Sequence, residues 1–114
     1  MEVPGDAALL RIFIDDNEVS GDEPLADALI RKAREMGLAG ATALRGILGY
    51  GRRSSPSPTE LLLSPDLPIV VEVVDSREKI DAYLAAVGPM IRAGLVTVQP
   101  IQVLRYGAAE SGQA

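Results

Sequence analysis

Apolar residues along the chain follow two spacings, one typical of strands and one typical of helices. Segments rich in β-branched and aliphatic residues predict four strands, at residues 9–15, 41–51, 67–74 and 95–106. Apolar residues at helical spacing predict one helix over residues 24–36 and a second that begins near residue 75. The order β-α-β-β-α-β predicts the ferredoxin-like fold, an α+β architecture with two helices on one face of a four-stranded antiparallel sheet.

Prolines and glycines indicate where these elements begin and end. Pro24 suits the first position of the first helix, and Gly37 is expected in the left-handed conformation that ends it. Pro89 predicts a kink or a restart of the second helix near Gly88. Pro100 predicts that the last strand lies at a sheet edge or contains a bulge.

Polar side chains predict local contacts at both helices. Asp75 and Glu78 have the spacing of a capping box at the start of the second helix. On the first helix, Arg31 lies four residues from both Asp27 and Glu35, which predicts i,i+4 ion pairs. These pairs mark the solvent-facing side of that helix.

The first and third predicted strands are apolar on both faces. In the first strand, Leu10, Ile12 and Ile14 point to one face, whereas Leu9 and Phe13 point to the other. Two helices cover only one face of a sheet, so the opposite face would expose an apolar patch. Such patches usually mark interfaces, and the pattern therefore predicts that the chain forms oligomers.

The length of 114 residues fits a single domain. We expect this domain to span residues 7–106, between flexible tails at residues 1–6 and 107–114 that are rich in small and polar residues. Residues 52–58 read RRSSPSP, and their serines and prolines predict an exposed, mobile loop.

The composition excludes several kinds of catalytic and metal site. The chain has no Cys and no His, which removes thiol nucleophiles, the usual zinc ligands and the commonest general base. Acidic residues follow the first strand, at positions 15, 16, 18, 22 and 23, but their spacing matches no EF-hand loop and favours a solvated turn. We therefore expect a protein that is not an enzyme and holds no metal.

The acidic character of the chain narrows its partners. Its net charge of −5 and its pI near 4.6 disfavour nucleic acid and anionic membranes. The first residues, MEVPGDAALL, lack the basic start and the long apolar run expected of a signal peptide, and no apolar run approaches the ~20 residues that cross a bilayer. The sequence therefore predicts a cytoplasmic protein with no nucleic-acid partner and no direct membrane insertion.

Four segments, in order, carry a resemblance to a known family. They are LLRIFIDD (9–16), GLAGATALRGILGYG (37–51), LPIVVEVVDS (67–76) and GLVTVQPIQVLRY (94–106). With these segments the chain resembles the DUF190 family of PII-like proteins, relatives of the nitrogen-regulatory PII signal transducers. The most specific part is the GxxGxT…GYG pattern, which is similar to the PII segment that forms strand 2 and opens into the T-loop.

This resemblance implies a homotrimeric signalling protein without a resident cofactor. In PII trimers the sheets pack together at the centre, and an adenine nucleotide binds as an effector in the cleft between subunits. The effector orders or releases the T-loop, which docks on a membrane transporter or an enzyme. In this chain the T-loop corresponds to residues 52–60 and is shorter than in PII proteins.

The resemblance also implies ligand-binding roles for Thr42, Gly49, Gly51, Arg52 and Arg105. The threonine would lie near the adenine, the glycines would offer N–H groups at the T-loop base, and the arginines would bind phosphate. Arg45 joins this set on its chemistry alone, because a guanidinium can bind an anion through two hydrogen bonds. The corresponding PII loop is glycine-rich and contains a lysine, whereas residues 87–98 of this chain, VGPMIRAGLVTV, have only Gly88 and Gly94 and no lysine.

Other functions remain open at this point. One is an ACT-like regulatory module that binds a small molecule, such as an amino acid, near the first turn; another is a purely structural trimer. The glycines at 46, 49 and 51 are equally compatible with close packing and with anion binding. RNA recognition is disfavoured because the chain has only three Tyr and one Phe as aromatic residues, and acylphosphatase-like catalysis because the first loop is acidic.

Overall fold

The computed structural model describes residues 5–47 and 67–107. Within them the strands are β1 (Ala7–Asp15), β2 (Val19–Ser20), β3 (Glu23–Pro24), β4 (Gly40–Arg45), β5 (Pro68–Ser76) and β6 (Leu95–Ile101). The helices are α1 (Leu25–Glu35) and α2 (Arg77–Val87), followed by a short 3-10 helix at Gly88–Met90. The predicted loop at 52–58 and the predicted second strand beyond residue 47 lie outside the described residues.

The main sheet has the strand order β4-β5-β1-β6, and all neighbouring strands are antiparallel. β1 pairs with β5 along its whole length, from Ala7 opposite Ser76 to Asp15 opposite Pro68. On its other side β1 pairs with β6, which forms one edge of the described sheet. This topology confirms the predicted ferredoxin-like fold, and Pro100 lies on an edge strand as expected.

The hydrophobic core lies between the two helices and one face of this sheet. Side chains alternate between the faces of a strand, so every second residue of β1 and β5 is buried against the helices. Residues that are fully buried there include Leu10, Ile12, Val71 and Val73 from the sheet and Leu29, Ile80, Tyr83 and Val87 from the helices. Burial of one such aliphatic side chain contributes about 1.5–3 kcal/mol, so this face supplies most of the stability.

The end of α1 confirms the prediction for Gly37. Its φ of 75° is left-handed, and its N–H donates to the Arg34 carbonyl oxygen at 3.1 Å. The N–H of Leu38 then donates to the Ala33 carbonyl oxygen at 3.0 Å, which completes the hydrogen bonds of the last turn. Pro24 lies one position earlier than predicted, as the N-cap of α1 rather than its first helical residue.

The predicted capping box of α2 is wrong, because Ser76 rather than Asp75 is the N-cap. The Ser76 hydroxyl oxygen accepts the N–H of Lys79 at 3.2 Å. Asp75 is only 4% exposed, and its carboxylate accepts the N–H of Ala39 at 2.8 Å and that of Ser76. Asp75 therefore joins the start of β4 to the start of α2. The predicted restart at Pro89 is confirmed, since α2 ends at Val87 and the 3-10 helix follows.

A short hairpin, β2–β3, forms where the sequence predicts only a solvated turn. Its Glu23 binds Arg31 of α1 at 2.6 Å, and Arg31 also makes the predicted i,i+4 pair with Glu35 at 2.8 Å. The hydrogen bonds to Glu23 and Glu35 raise the pKa of Arg31. For Glu18, the prediction of a solvated side chain is wrong, because that residue is only 8% exposed.

Tyr83 provides a test of how the helices are joined. It is fully buried on α2, and its hydroxyl donates to the Leu29 carbonyl oxygen of α1 at 2.7 Å. Burial raises the pKa of Tyr83 to about 12, above its ordinary value of about 10. The folded state thus favours the protonated phenol, and this stabilisation is complete below about pH 10 and is lost as pH rises towards 12. We predict that Tyr83→Phe lowers the free energy of unfolding by about 1 kcal/mol at neutral pH and reduces its alkaline decline in urea titrations.

The matched control is Tyr106→Phe, which removes a hydroxyl from a side chain that is 39% exposed. This variant should keep the alkaline decline of the wild-type protein. If Tyr83→Phe declined with pH as steeply as the wild type, the buried phenol would not be the source of the effect.

Candidate functional site

Three of the predicted ligand-binding residues, Thr42, Arg45 and Arg105, lie in the described part of the chain. Gly49, Gly51 and Arg52 lie outside it. Thr42 and Arg45 belong to β4, whereas Arg105 follows β6. The three side chains lie in different surroundings, and the surroundings of each residue determine what it can bind.

Arg45 is at the end of β4, on the helix-covered side of the sheet. It pairs in register with Ile69, whose side chain is buried in the core. The guanidinium of Arg45 forms an ion pair with the carboxylate of Asp16, which follows β1. The side chain remains 56% exposed, so an incoming anion could reach it but would have to compete with Asp16.

Backbone hydrogen bonds close the sheet at this same end, where β1 and β4 finish and β5 begins. The N–H of Gly46 donates to the Pro68 carbonyl oxygen at 2.7 Å, and the N–H of Asp16 donates to the Leu67 carbonyl oxygen at 3.0 Å. A Cβ on Gly46 would lie 2.7 Å from the Pro68 ring, which is too close for any other residue without movement. Gly46 is therefore a close-packing glycine, and its N–H is not free to bind an anion.

Thr42 points to the opposite side of the sheet, which we call the helix-free face. Its register partner on β5 is Glu72, and the same row continues through Arg11 on β1 to Thr97 on β6. Arg11 donates from Nε to Glu72 Oε2 at 2.9 Å and from Nη1 to the side-chain oxygen of Gln99 at 3.4 Å. We call the four residues Thr42, Glu72, Arg11 and Thr97 the polar row.

Apolar residues flank the polar row on the helix-free face. One neighbouring row consists of Leu44, Val70, Phe13 and Leu95. Its two end residues, Leu44 and Leu95, are 50% and 58% exposed. The predicted apolar patch is thus present, and no described element covers it. The patch is divided by a central row of polar and charged side chains, which forms only when the four strands pair.

Arg105 lies beyond the other end of the sheet. β6 runs antiparallel to β1, so it finishes beside Ala7, away from Arg45. After β6 the chain passes towards the start of β4, where the Tyr106 hydroxyl donates to the Ala39 carbonyl oxygen at 3.3 Å. Arg45 and Arg105 of one chain are therefore at opposite ends of the sheet.

A cleft of about 460 Å³ opens on the helix-covered side, between the first turn and the segment that follows the 3-10 helix. Its lining residues are Asn17, Glu18, Val19, Leu25, Met90, Arg92 and Ala93. Local sequence patterns indicate neither Arg92 as a lining residue nor the burial of Glu18, because the cleft forms between segments that are distant in the chain. Among the described residues no group of three acidic side chains could hold a metal ion, and no described helix is long and apolar enough to cross a membrane.

The fold is shared with solved PII-like structures. CPII from Thiomonas intermedia K12, bound to ADP, AMP and acetate, superposes with a TM-score of 0.62 at 19% identity, covering 92% of this chain and 94% of that one. A second structure of this nitrogen regulatory PII-like protein, bound to ADP, AMP and bicarbonate, gives a TM-score of 0.60 at 18% identity over 89% and 96% of the two chains. These similarities establish a PII-like fold.

Sequence similarity gives the family. A UPF0166 protein of Aquifex aeolicus is 37% identical over 97 residues, which cover 84% of this chain and 91% of the relative. The profile of the DUF190 family, described as "Uncharacterized ACR, COG1993", matches residues 7–103. Because that match includes nearly all the described residues, the chain belongs to the DUF190 family, as its sequence resemblance predicts.

Proposed function

We propose that this protein is a PII-like regulatory protein and not an enzyme: a homotrimer that binds an adenine nucleotide, or another small anion, in clefts between its subunits. The proposal is supported by the fold it shares with CPII, whose structures contain ADP and AMP. Ligand binding would act on residues 52–60, which would dock on a membrane transporter or an enzyme in the cytoplasm.

The positions of the arginines favour a ligand site made by two subunits. Arg45 and Arg105 lie at opposite ends of the sheet in one chain, so a small ligand cannot reach both within a protomer. A neighbouring subunit could supply Arg105 to the end of the sheet that carries Arg45. In this arrangement the ligand would draw Arg45 away from Asp16. Because Arg45 precedes Gly46, and Asp16 donates to the Leu67 carbonyl oxygen, ligand binding would affect the backbone on both sides of residues 48–66.

The helix-free face favours copies of the same chain as its occupant. In the polar row, in the apolar row of Leu44, Val70, Phe13 and Leu95, and in the row on the other side (Gly40, Val74, Leu9 and Gln99), the charged residues are Arg11 and Glu72, which form an ion pair. Two such faces can therefore meet without the repulsion expected between chains of net charge −5. We propose that different parts of the helix-free face contact each other around a threefold axis, because contacts between unlike patches close into a ring, whereas contact of one patch with itself gives a dimer.

The two other functions differ from this proposal in what they bind. A purely structural trimer would assemble in the same way without binding a nucleotide, and an ACT-like module would bind amino acids in place of nucleotides. Oligomeric state alone does not separate these functions, so the ligand experiment decides between them.

The first prediction concerns assembly. Light scattering at micromolar concentration should give about three times the 12.0 kDa of one chain. The double variant Leu44→Lys/Leu95→Lys should be a monomer, because both side chains are at least half exposed in one chain and would place charges between the subunits.

The matched control is Ala82→Lys/Ala85→Lys, which adds the same charge to exposed positions of α2. It should remain trimeric. A wild-type protein that is monomeric at this concentration would contradict both the trimer and the site between subunits, and a stable dimer would contradict the ring.

The second prediction concerns the ligand. Calorimetric titration of the full chain with AMP, ADP and ATP should show binding by at least one nucleotide. Arg105→Ala should weaken this binding by roughly tenfold to a hundredfold, because a charge-assisted hydrogen bond contributes about 1.5–3 kcal/mol. The trimer should stay intact, and Arg105→Lys should not fully restore affinity, because the planar guanidinium is lost.

Arg34→Ala is the control for a general loss of positive charge, since Arg34 is an exposed residue of α1. It should bind the nucleotide as the wild type does. Equal affinities of wild type and Arg105→Ala would exclude Arg105 as a ligand contact. Failure of all three nucleotides to bind would contradict the nucleotide proposal itself.

A further inference from the structure

We infer that Asp16 is a built-in competitor at the anion site proposed above. Its carboxylate binds the guanidinium of Arg45 and must be displaced by an incoming phosphate group, which lowers the affinity of the site. This inference rests on the proposed function, because it requires that the ligand reaches Arg45. It adds a residue that opposes binding to the residues that would favour it.

The Asp16 carboxylate is held in place by the backbone around it. Asp16 directly follows β1, and its N–H donates to the Leu67 carbonyl oxygen at 3.0 Å. Its side chain is only 17% exposed, whereas that of Arg45 is 56% exposed. Arg45 belongs to β4, an edge of the described sheet, and its long side chain has many rotamers available. Separation of the pair would therefore move the arginine and leave the carboxylate in position.

The ion pair is not needed to hold the sheet together. β5 lies between β4 and β1, so the side chains of Arg45 and Asp16 reach each other across the start of β5. The backbone hydrogen bonds that close the sheet at this end, donated by Gly46 and Asp16, would remain when the side chains separate. Exposed ion pairs contribute little to the free energy of unfolding. The pair can therefore open on ligand binding with little loss of stability.

A carboxylate and a phosphate compete for the same guanidinium, because both accept two parallel hydrogen bonds from it. A ligand must therefore exchange with Asp16 to bind Arg45. After the exchange, the displaced carboxylate stays near the bound phosphate and repels it. Both effects lower the affinity, so removal of the Asp16 charge should make binding tighter. Damage to the fold would instead weaken binding, so the sign of the change distinguishes the two causes.

The test compares the wild-type full chain with Asp16→Asn in calorimetric titrations with ADP and with inorganic pyrophosphate. Asp16→Asn removes the charge, nearly preserves the size of the side chain and keeps the backbone N–H that donates to Leu67. It should bind both probes roughly threefold to tenfold more tightly than the wild type at low salt. The difference should shrink as salt is added, because salt screens exposed charges.

Two controls separate this competition from a general effect of charge. Asp81→Asn removes a carboxylate that also pairs with an arginine, Arg77, at 3.0 Å, but on the surface of α2. It should bind both probes as the wild type does. In an Arg45→Gln background, Asp16→Asn should raise the affinity by about twofold or less, because no guanidinium remains to compete for. Asp16→Ser, which also keeps the backbone hydrogen bond, replaces Asp16→Asn if that variant does not fold.

Three results would overturn this inference. They are unchanged or weaker binding of both probes by Asp16→Asn, an equal gain in Asp81→Asn, and an equal gain in the Arg45→Gln background. Failure of the nucleotide proposal gives a different result. In that case neither protein binds ADP, but Asp16→Asn still binds pyrophosphate more tightly than the wild type, because the competition requires only phosphate groups. If neither protein binds either probe, the anion site is absent and the inference is wrong as well.

Discussion

Two helices can cover only one face of a four-stranded sheet, and this limit determines how the rest of the chain is used. β1 and β5 direct alternate residues into the core and the remaining residues onto the helix-free face. A shift of one residue in their register would exchange the two sets completely. The nine-residue pairing of β1 with β5 therefore fixes the core, the apolar rows and the polar row together. Assembly, as proposed, depends on the residues that this pairing leaves uncovered.

Local sequence signals predicted well where a helix ends, in the cases where the backbone conformation of a single residue decides that end. Gly37 ends α1 because its left-handed conformation is strained for other residues, and Pro89 ends α2 because it cannot continue a helix. The prediction that Asp75 caps α2 failed because of a contact with a distant part of the chain. Asp75 has the right spacing for a cap, but strand alternation turns it inwards, where it binds the N–H of Ala39, 36 residues away in sequence. The burial of Tyr83 likewise depends on how α2 lies on the sheet.

The sequence predicts a set of candidate site residues but not how they are arranged. The resemblance gives positions, whereas the directions of Thr42 and Arg45 follow from the strand that carries them, and they point to opposite faces. Glu72 comes to lie beside Thr42 only through the pairing of β4 with β5, which no local pattern specifies. Glu18 looked solvated because its neighbours are acidic, but the hairpin holds its backbone against the start of α1. These differences all arise from contacts between distant parts of the chain.

The polar row has a consequence for the newly synthesised chain. In the proposed assembly each copy would fold before it meets another, and during that time its helix-free face would be in contact with water. The Arg11–Glu72 pair separates the apolar row of Leu44, Val70, Phe13 and Leu95 from Leu9 and Val74 on its other side. These two narrower bands limit the continuous patch available to other folding chains. Apolar residues in place of Arg11 and Glu72 would strengthen contacts between folded subunits in the proposed assembly. They would also join the two bands and make the single chain more prone to aggregation, so in the proposed assembly the ion pair would protect the protein during the interval between folding and association.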